Sequence, residues 1–332
     1  MKLSIDNTSP INNNMAATII TPSLLQKPNR VVQSAWTGHI PFAFWIIETI
    51  KPAVFVELGA HSGTSYFAFC QSVTSNQLPT RCYAIDTWQG DEHAGFYDDA
   101  VYGAVKAYNE TEYYAFSRLL KMSFDEALSH FNDHSIDILH IDGLHTYEAV
   151  KHDFSVWLPK LSESGVVLFH DINVREKDFG VWKFWEEISA LYPHIAFDHS
   201  HGLGVLLVGI KQNSSIAEIA HEFNNPSDEH RIKSLFSRFG HMVEVEYTLT
   251  ERDDFIKKLS FTITERDDHI NNLNIHHQQE LLKLHERNLE LERIINNHVN
   301  TIQTMKSSGS WRLTKPMRQI RDFVRKFLDK SS

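Results

Sequence analysis

The chain has 332 residues, 42% of them hydrophobic, and a formal net charge of −10 at pH 7. This composition is enough for a sizeable buried core, and the negative charge argues against a general nucleic-acid-binding protein. The two cysteines, Cys70 and Cys82, lie within apolar segments. They therefore indicate buried small side chains in a reducing compartment rather than a disulfide framework or a metal site.

The first 35 residues form a polar segment rich in Asn, Ser and Thr. It has neither the charged start nor the apolar centre of a signal peptide, so we expect a loose N-terminal arm. No stretch of the chain approaches the roughly 18 consecutive apolar residues of a membrane span. The sequence thus predicts a cytoplasmic protein that is soluble or peripheral to a membrane.

The segment from Val54 to Ser65 combines a short apolar run, the acid Glu57 and two glycines, Gly59 and Gly63. A run of this kind predicts a buried parallel strand, followed by a helix from Thr64. The glycines allow the backbone to turn sharply and to approach a ligand closely. Because the Gly-x-Gly-x-x-Gly pattern is absent, we expect a nucleotide-like cofactor that has no pyrophosphate.

Asp86 ends the next apolar run, Tyr83 to Ile85, 23 residues after Gly63. This is about where a ribose-binding acid is found in a nucleotide-binding βαβ unit. The loop and the distant acid together predict partners for both ends of a ribosyl cofactor.

Further strand-like runs alternate with helical segments over residues 36–212, which predicts an α/β domain with a mostly parallel sheet and helices on both faces. Ligands bind at the carboxyl ends of the strands in such folds. Glu57, Asp86, Asp142 and Asp171 are all expected there. The remaining predicted strands are Ile136 to Ile141, Val166 to Phe169 and Val205 to Gly209, with a further strand near Leu119 to Lys121.

A candidate metal site follows from two of these strand ends. One strand ends in Asp142, with His145 three residues later, and the next ends in His170 and Asp171. Carboxylates favour Mg²⁺, while nearby imidazoles also allow Mn²⁺ or Fe²⁺. We expect Asp142, His170 and Asp171 as ligands.

The motif of Glu57, Gly59, Gly63 and Asp86 resembles that of the class I S-adenosylmethionine (SAM)-dependent methyltransferases. The resemblance implies a Rossmann-like fold and SAM as cofactor. It also implies which residues surround the cofactor, with Ser123 and Phe124 beside the adenine and Trp88 covering one face of the cofactor or of a sugar. The complete implied set is Glu57, Gly59, Ser62, Gly63, Ser65, Asp86, Thr87, Trp88, Ser123, Phe124 and Asp142.

Residues 36 to 209 are similar, more specifically, to metal-dependent O-methyltransferases, including enzymes that act on sugars of macrolides and surface glycans. The segments from Trp36 to Trp45 and from Asp86 to Asp91 belong to this similarity. It implies that Asp142 and Asp171 bind a divalent metal, Mg²⁺ or Mn²⁺. Position 170, where related enzymes have Glu or another ligand, is His in this chain.

Methyl transfer to a sugar hydroxyl requires that the acceptor oxygen be held in line with the methyl group and lose its proton. A metal held by Asp142 and Asp171 would bind the hydroxyl, and His145 would accept the proton. His201, in a glycine-containing loop before a strand, is the second candidate base.

The chain changes character after the domain, first to a helical extension, 213–242, and then to a run without Pro or Gly, 243–306. Within that run Thr250–Ile256 recurs as Thr264–Ile270, a 14-residue repeat that equals two heptads. This predicts a coiled coil and self-association as a dimer or trimer, although a single helix lying on its own domain is an alternative. The apolar seam is Ile256, Leu259, Ile263, Ile270 and Leu273, resuming after a one-residue slip at Leu281, Leu284, Leu291, Ile295, Ile302 and Met305.

The C-terminal tail, 307–332, predicts a basic amphipathic helix. From Lys306 onward there are eight Lys or Arg residues and two Asp, a local charge of +6 that leaves −16 elsewhere. Leu313, Met317, Ile320, Val324 and Phe327 share one face. Such a helix is typical of binding to an anionic membrane surface, and docking on an acidic partner is the alternative.

These features together predict an O-methyltransferase that uses SAM and acts on a bacterial surface polysaccharide such as O-antigen, or on its lipid-linked precursor, at the inner face of the cytoplasmic membrane. The modification could be a chain-terminating cap, and a glycosyltransferase is an expected partner. One alternative is a non-catalytic coiled-coil scaffold for glycan-assembly enzymes. Another is a metal-dependent hydroxylase on the same fold.

Overall fold

The computed structural model describes residues 19–91, 95–96 and 98–328. Most of the predicted N-terminal arm, 1–18, and the last residues of the predicted tail, 329–332, lie outside the described residues. The chain divides after Glu251 into two compact units.

The described part of the first unit contains nine strands. Their bounds are β1 Val54–Leu58, β2 Arg81–Asp86, β3 Gly90–Asp91, β4 Gly95–Phe96, β5 Ser117–Lys121, β6 Ile136–Ile141, β7 Leu161–His170, β8 His194–Phe197 and β9 Leu203–Leu207. The predicted bounds agree at β1 and β6, while β2, β5 and β7 extend beyond the predicted runs and β9 begins and ends two residues earlier than predicted. Strand β8 was not predicted, because its four residues include His194 and Ala196 and carry little hydrophobic signal.

In the described residues, ten α-helices with defined bounds precede, separate or follow the strands. They are α1 Ile40–Ile50, α2 Thr64–Ser75, α3 Asp99–Glu112, α4 Phe124–Ala127, α5 Tyr147–Trp157, α6 Val181–Ser189, α7 Ser214–Glu222, α8 Pro226–Ser307, α9 Gly309–Leu313 and α10 Lys315–Leu328. Short 3₁₀ turns, among them Thr37–His39, connect several of them.

Seven strands form one sheet in the order β5-β2-β1-β6-β7-β9-β8. The first five are parallel, and β9 runs antiparallel to both β7 and β8. The prediction of a mostly parallel sheet is confirmed. Because the chain moves outward from β1 in both directions, the carboxyl ends of β1 and β6 meet at the point where the strand order reverses, which is where ligands bind in such sheets.

Apolar side chains on the two faces of the sheet form two separate core clusters. In β1, Phe55 belongs to one cluster, whereas Val54, Val56 and Leu58 belong to the other. Helices α1 and α2 pack on the first face, and α5 and α6 pack on the second. This alternation confirms helices on both faces and follows from the two-residue period of a strand. Cys70 and Cys82 are both buried and unbonded, as predicted.

The first unit continues past residue 212, where the sequence placed the end of the domain. Ile216 and Ile219 of α7 and Ile232, Phe236 and Val243 of α8 are buried in the first core cluster. These apolar residues recur at helical spacing, so they cover a face of the domain instead of leaving it.

Helix α8 is continuous over 82 residues. Its part from residue 252 onward belongs to the second unit, in which every described residue from 252 to 317 is exposed. A long helix is therefore present where the coiled coil was predicted. Within the described parts of the chain, no helix combines the length and hydrophobicity needed to cross a membrane.

Candidate functional site

Four acidic residues meet at the carboxyl edge of the sheet, as the strand pattern predicted. Glu57 lies near the end of β1 and Asp86 ends β2, while Asp142 and Asp171 directly follow β6 and β7. The parallel register pairs Leu58 with Ile85 on one side and with Ile141 on the other. Strand ends in register place these residues around one site.

Gly59 makes the turn that follows β1. Its φ is +90°, and a Cβ at this position would lie 2.1 Å from the carbonyl oxygen of Asp142. Its N–H donates to the Ile85 carbonyl at 2.9 Å, and the Asp142 N–H donates to the Leu58 carbonyl at 2.8 Å. A side chain at residue 59 would thus both strain the backbone and separate β1 from the residues after β6.

Asp86 holds the same loop through its carboxylate. Oδ2 accepts the backbone N–H groups of Ala60 at 3.0 Å and His61 at 2.9 Å, and Oδ1 accepts that of Trp88 at 2.6 Å. The carboxylate is therefore fixed in position at the edge of the cleft that lies above the strands.

A cleft of about 320 Å³ opens above these strand ends. This volume lies at the lower end of the range typical of ligand pockets, about 300–1,000 Å³. Most of the predicted cofactor residues line it, namely Gly59, Ser62, Ser65, Asp86, Thr87, Ser123, Phe124 and Asp142. Ser34, Trp36, His61 and Leu144 also line it, although no sequence pattern indicated them beyond their nearness to a motif.

Three predicted cofactor residues do not line this cleft among the residues described, and each has a structural role beside it. Gly63 precedes α2 with a φ of 80°, and Trp88 is buried, packs on Tyr102 and donates from Nε1 to the His61 carbonyl at 2.8 Å. Glu57 is fully buried below the cleft. Trp88 does not line the cleft among the described residues, because its indole packs into the core.

Glu57 belongs to a buried chain of polar side chains that ends at the cleft on both sides. Ser65 Oγ donates to Glu57 Oε1 at 2.7 Å, and Glu57 Oε2 lies 3.2 Å from His140 Nδ1. Trp36 Nε1 donates to His140 Nε2 at 3.1 Å, so Nε2 is the acceptor and a neutral His140 ring has its N–H at Nδ1. Burial raises the pKa of Glu57, and the contact with His140 opposes that rise.

Asp142, His170 and Asp171 form a compact cluster whose ligand atoms all lie within 4.8 Å of one another. His170 Nδ1 lies 3.2 Å from Asp142 Oδ1 and 3.3 Å from Asp171 Oδ2. The other ring nitrogen, Nε2, lies 3.1 Å from the Ser200 carbonyl and must donate to it, since a carbonyl only accepts. A metal-binding histidine commonly has such a second contact.

The orientation of His170 has a direct electrostatic consequence. With Nε2 protonated, Nδ1 points its lone pair at two carboxylates unless a proton or a metal ion lies between them. Burial lowers the pKa of His170, but the charges of Asp142 and Asp171 outweigh burial and raise the pKa well above its ordinary value. For the two acids, burial acts to raise the pKa, and His170 and His145 lower it overall. The cluster is therefore built to hold positive charge.

His145 connects this cluster to the cleft. It lines the cleft, its Nε2 lies 2.9 Å from Asp171 Oδ2, and its ring stacks on Phe179 with centroids 4.8 Å apart. Burial opposes its charged form, but Asp142 and Asp171 outweigh burial and raise the pKa of His145 to about 9. Both predicted bases converge on one acid, because His201 Nδ1 lies 3.0 Å from Asp171 Oδ1. His201 does not line the cleft in the described part of the chain.

His39 contacts the same backbone carbonyl as His170, and the sequence patterns did not indicate this residue. Its Nε2 donates to the same Ser200 carbonyl at 3.1 Å, and burial holds its pKa well below the ordinary value. Ser200 Oγ in turn donates to Glu244 Oε1 of α8 at 3.1 Å. The carbonyl that orients His170 is thus fixed by contacts that lie 161 and 44 residues away in sequence, which no local pattern reports.

Residues 56–172 match the family model of a methyltransferase domain. The matched segment contains the last three residues of β1, the strands β2 to β7, and the cleft residues from Gly59 to His145. The Rossmann-like α/β methyltransferase domain expected from the sequence is confirmed by this match together with the order of the strands.

The protein y4gI of Sinorhizobium fredii (strain NBRC 101917 / NGR234), described as uncharacterized, is 51% identical over 187 residues. The matched region covers 56% of this chain and 20% of the relative. The chain thus spans about a fifth of the length of the curated relative it matches.

Solved methyltransferase structures are also similar. A putative caffeoyl-CoA O-methyltransferase from Staphylococcus aureus has a TM-score of 0.42 at 15% identity, covering 54% of this chain and 85% of that one. The O-methyltransferase TomG from Streptomyces achromogenes, solved in complex with SAM, has a TM-score of 0.40 at 11% identity, with coverages of 61% and 92%.

Proposed function

We propose that this protein is a SAM-dependent O-methyltransferase that methylates a sugar hydroxyl of a bacterial surface polysaccharide, such as O-antigen, or of its lipid-linked precursor. The proposal rests on one observation. The cofactor-sized cleft is lined by Asp142, which belongs to the cluster of Asp142, His170 and Asp171, and by His145, which contacts that cluster. A methyl donor in the cleft would therefore lie next to groups able to handle the proton of an acceptor.

Three parts of the cleft suit three parts of SAM. Asp86, at the end of β2, has the position of a ribose-binding acid. Phe124 offers an aromatic face for the adenine and packs against Gly143, where an added Cβ would lie 2.4 Å from the ring. The turn at Gly59 leaves the backbone open to the methionine portion, next to Ser62 and Ser65.

Methyl transfer from SAM is a direct displacement. The acceptor oxygen forms a bond to the methyl carbon as the carbon–sulfur bond breaks, and the sulfur keeps the electron pair as S-adenosylhomocysteine leaves. The hydroxyl proton must go to a base, and His145, which lines the cleft, can accept it in its neutral form. Its pKa of about 9 favours the imidazolium near pH 7, so a divalent cation held by Asp142 and Asp171 would have to lower that pKa by charge repulsion. Asp142 and Asp171 would stabilise the imidazolium that forms. His201, on the other oxygen of Asp171, is the second candidate.

The cluster fits a divalent metal. Asp142 and Asp171 provide two carboxylates, and His170 provides Nδ1 with its tautomer fixed by the Ser200 carbonyl. One nitrogen and two oxygens suit Mg²⁺ or Mn²⁺. Such a cation would lower the pKa of an acceptor hydroxyl.

The test of the cofactor class is calorimetric titration with S-adenosylhomocysteine. We expect micromolar binding that is lost in Asp86→Asn. Asp137→Asn is the matched control, because Asp137 Oδ2 also accepts two backbone N–H groups, those of Ala53 and Val54, but at the opposite end of β1. Wild-type protein that does not bind S-adenosylhomocysteine, with or without Mg²⁺, would contradict the proposal and favour the scaffold.

The acceptor is tested with [methyl-³H]SAM and lipid-linked oligosaccharides. We expect the label in the glycan, and a terminal position would support the chain-capping role. Turnover that needs oxygen and a reductant would instead favour the hydroxylase. Co-purification of a glycosyltransferase with the full chain would support the expected partner.

The tail supports a location at the inner face of the cytoplasmic membrane. In α10, Met317, Ile320 and Phe323 are exposed, and Arg318, Arg321 and Arg325 lie toward the other side of the helix. We expect the protein to sediment with vesicles that contain phosphatidylglycerol and not with neutral vesicles. Ile320→Asp should reduce this binding more than its neighbour Gln319→Asp, which adds the same charge on the polar side. Equal effects would contradict insertion of the apolar face.

A further inference from the structure

Helix α8 presents an apolar face with no cover from its own unit in the described residues from 252 to 317, all of which are exposed. Ile256, Ile270 and Leu284, for example, are 53%, 52% and 57% exposed. A contiguous apolar surface on this scale is typical of an interaction site.

The spacing of this face defines one unbroken seam. From Ile256 to Leu273 the steps alternate between three and four residues, two steps of four pass through His277 to Leu281, and the alternation then resumes to Met305. Two successive steps of four are a stutter, which unwinds a coiled coil locally and keeps the seam on one side. The seam is Ile256, Leu259, Ile263, Arg266, Ile270, Leu273, His277, Leu281, Leu284, Asn288, Leu291, Ile295, His298, Ile302 and Met305.

When the heptad is written abcdefg, the seam residues occupy positions a and d in alternation on each side of the stutter. The kind of side chain differs between these two positions. Isoleucine fills most of the a positions, including Ile256, Ile263 and Ile302, and leucine fills most of the d positions, including Leu259 and Leu291. β-branched residues at a combined with Leu at d favour two parallel strands, and an Asn at a single a position, as at Asn288, specifies register and strand number.

The flanking positions agree with a parallel pair in register. In such a pair each g residue faces the e residue five positions later in the partner helix. Arg287 at g then faces Glu292 at e, which are opposite charges, and Ile294 at g faces Val299 at e, which are both apolar. Ile294 and Val299 are 43% and 44% exposed, so they would add apolar contact beside the seam.

We propose that residues 256–305 form a parallel, in-register, two-stranded coiled coil with a second copy of this chain. The arrangement buries the seam and lets the Asn288 side chains of the two copies hydrogen-bond to each other. It also places two copies of the basic tail at the same end of the coil. It does not depend on the catalytic activity.

The strand number is tested by sedimentation equilibrium of the full chain, whose expected mass is twice 38.4 kDa. Leu284→Asp changes a seam residue, and Leu282→Asp changes a residue outside the seam of similar exposure, 64% against 57%. We expect Leu284→Asp to raise the dissociation constant at least 100-fold and Leu282→Asp to change it less than threefold. A monomeric or trimeric wild type, or an equal response of the two variants, would overturn the proposal.

The direction of the strands is tested by oxidising Leu259→Cys, with wild type as the control because Cys70 and Cys82 are buried. Parallel strands in register bring residue 259 of one copy next to residue 259 of the other, so a disulfide-linked dimer is expected. In an antiparallel pair, residue 259 would lie opposite residue 302 instead. Absence of the cross-link in a protein that sediments as a dimer would overturn the parallel arrangement.

Discussion

Nδ1 of His170 lies 3.2 Å from Oδ1 of Asp142, where the carboxyl ends of β6 and β7 meet. The two residues are 28 positions apart, and adjacent parallel strands bring them together. Because Nε2 of the same ring donates to a backbone carbonyl, the ring cannot rotate away without losing a buried hydrogen bond. This arrangement fixes the positions of the donor atoms of the cluster.

Replacing Asp171 tests the cluster as a metal site. Asp171→Asn retains the size of the side chain but removes the charge that lies near His145, His170 and His201. We expect Mn²⁺ affinity, measured by calorimetry and electron paramagnetic resonance, to fall at least about 100-fold. Asp125→Asn is the control, since Asp125 also contacts a histidine, His152 at 2.9 Å, but on the exposed surface. Unchanged Mn²⁺ binding in Asp171→Asn would show that this cluster is not the metal site.

Gly59→Ala tests the close approach of β1 to the residues after β6. The added Cβ would lie 2.1 Å from the Asp142 carbonyl oxygen at a φ of +90°. We expect a loss of about 3 kcal/mol or more in the free energy of unfolding and weaker S-adenosylhomocysteine binding. Gly103→Ala is the control, because Gly103 lies inside α3 with no heavy atom within 4 Å of its added Cβ. That variant should be about 1 kcal/mol more stable than wild type, and equal losses would refute the close approach.

The sequence could predict the acids of the site because each follows an apolar strand. Asp86, Asp142 and Asp171 come at the ends of such runs, and a parallel sheet brings those ends together whatever the loop lengths are. Glu57 illustrates what the motif alone leaves out. It lies two residues after Phe55 in the same strand, so its side chain points to the same buried face, toward His140 and away from the cleft.

The supporting contacts could not be predicted because they join residues far apart in the chain. Trp36 and His140 are 104 residues apart, and His39 and Ser200 are 161 apart. Neither pair has a periodicity or spacing that a local pattern reports. The continuation of the first unit past residue 212 could not be predicted either. The buried residues of α8 have the same helical spacing whether they pack on the domain or on a second helix.

Trp36→Phe tests the buried chain that runs from Trp36 through His140 to Glu57. The variant retains an aromatic ring but removes the N–H donated to His140 Nε2, which would leave a buried acceptor without its partner. We expect a loss of about 1–3 kcal/mol in the free energy of unfolding by urea. Trp182→Phe, which removes an N–H donated to the Phe179 carbonyl by a half-buried ring, should cost less. A larger loss in Trp182→Phe than in Trp36→Phe would contradict this role for His140.

Asp153, on α5, gives the protein a pH-dependent stability that can be separated from that of the site. Burial raises its pKa from 3.8 to about 7, with His152 opposing the rise and Asp125 adding to it. A folded-state pKa above the unfolded value means that the contribution to stability is full below pH 4 and is lost as the pH rises to about 7. The free energy lost over this range is about 4 kcal/mol at most.

Asp153→Asn should therefore be more stable than wild type at pH 8, by as much as a few kcal/mol, and similar to it at pH 4. The measurement is the difference in the free energy of unfolding by urea between the two proteins at several pH values, because this difference removes the pH dependence that both proteins share. Asp125→Asn is the control, because it changes an exposed neighbour of Asp153 on α4. We expect its free energy of unfolding to differ little from that of wild type over this pH range. A difference that does not grow between pH 4 and 8 would mean that Asp153 is ionised in the folded protein at little cost.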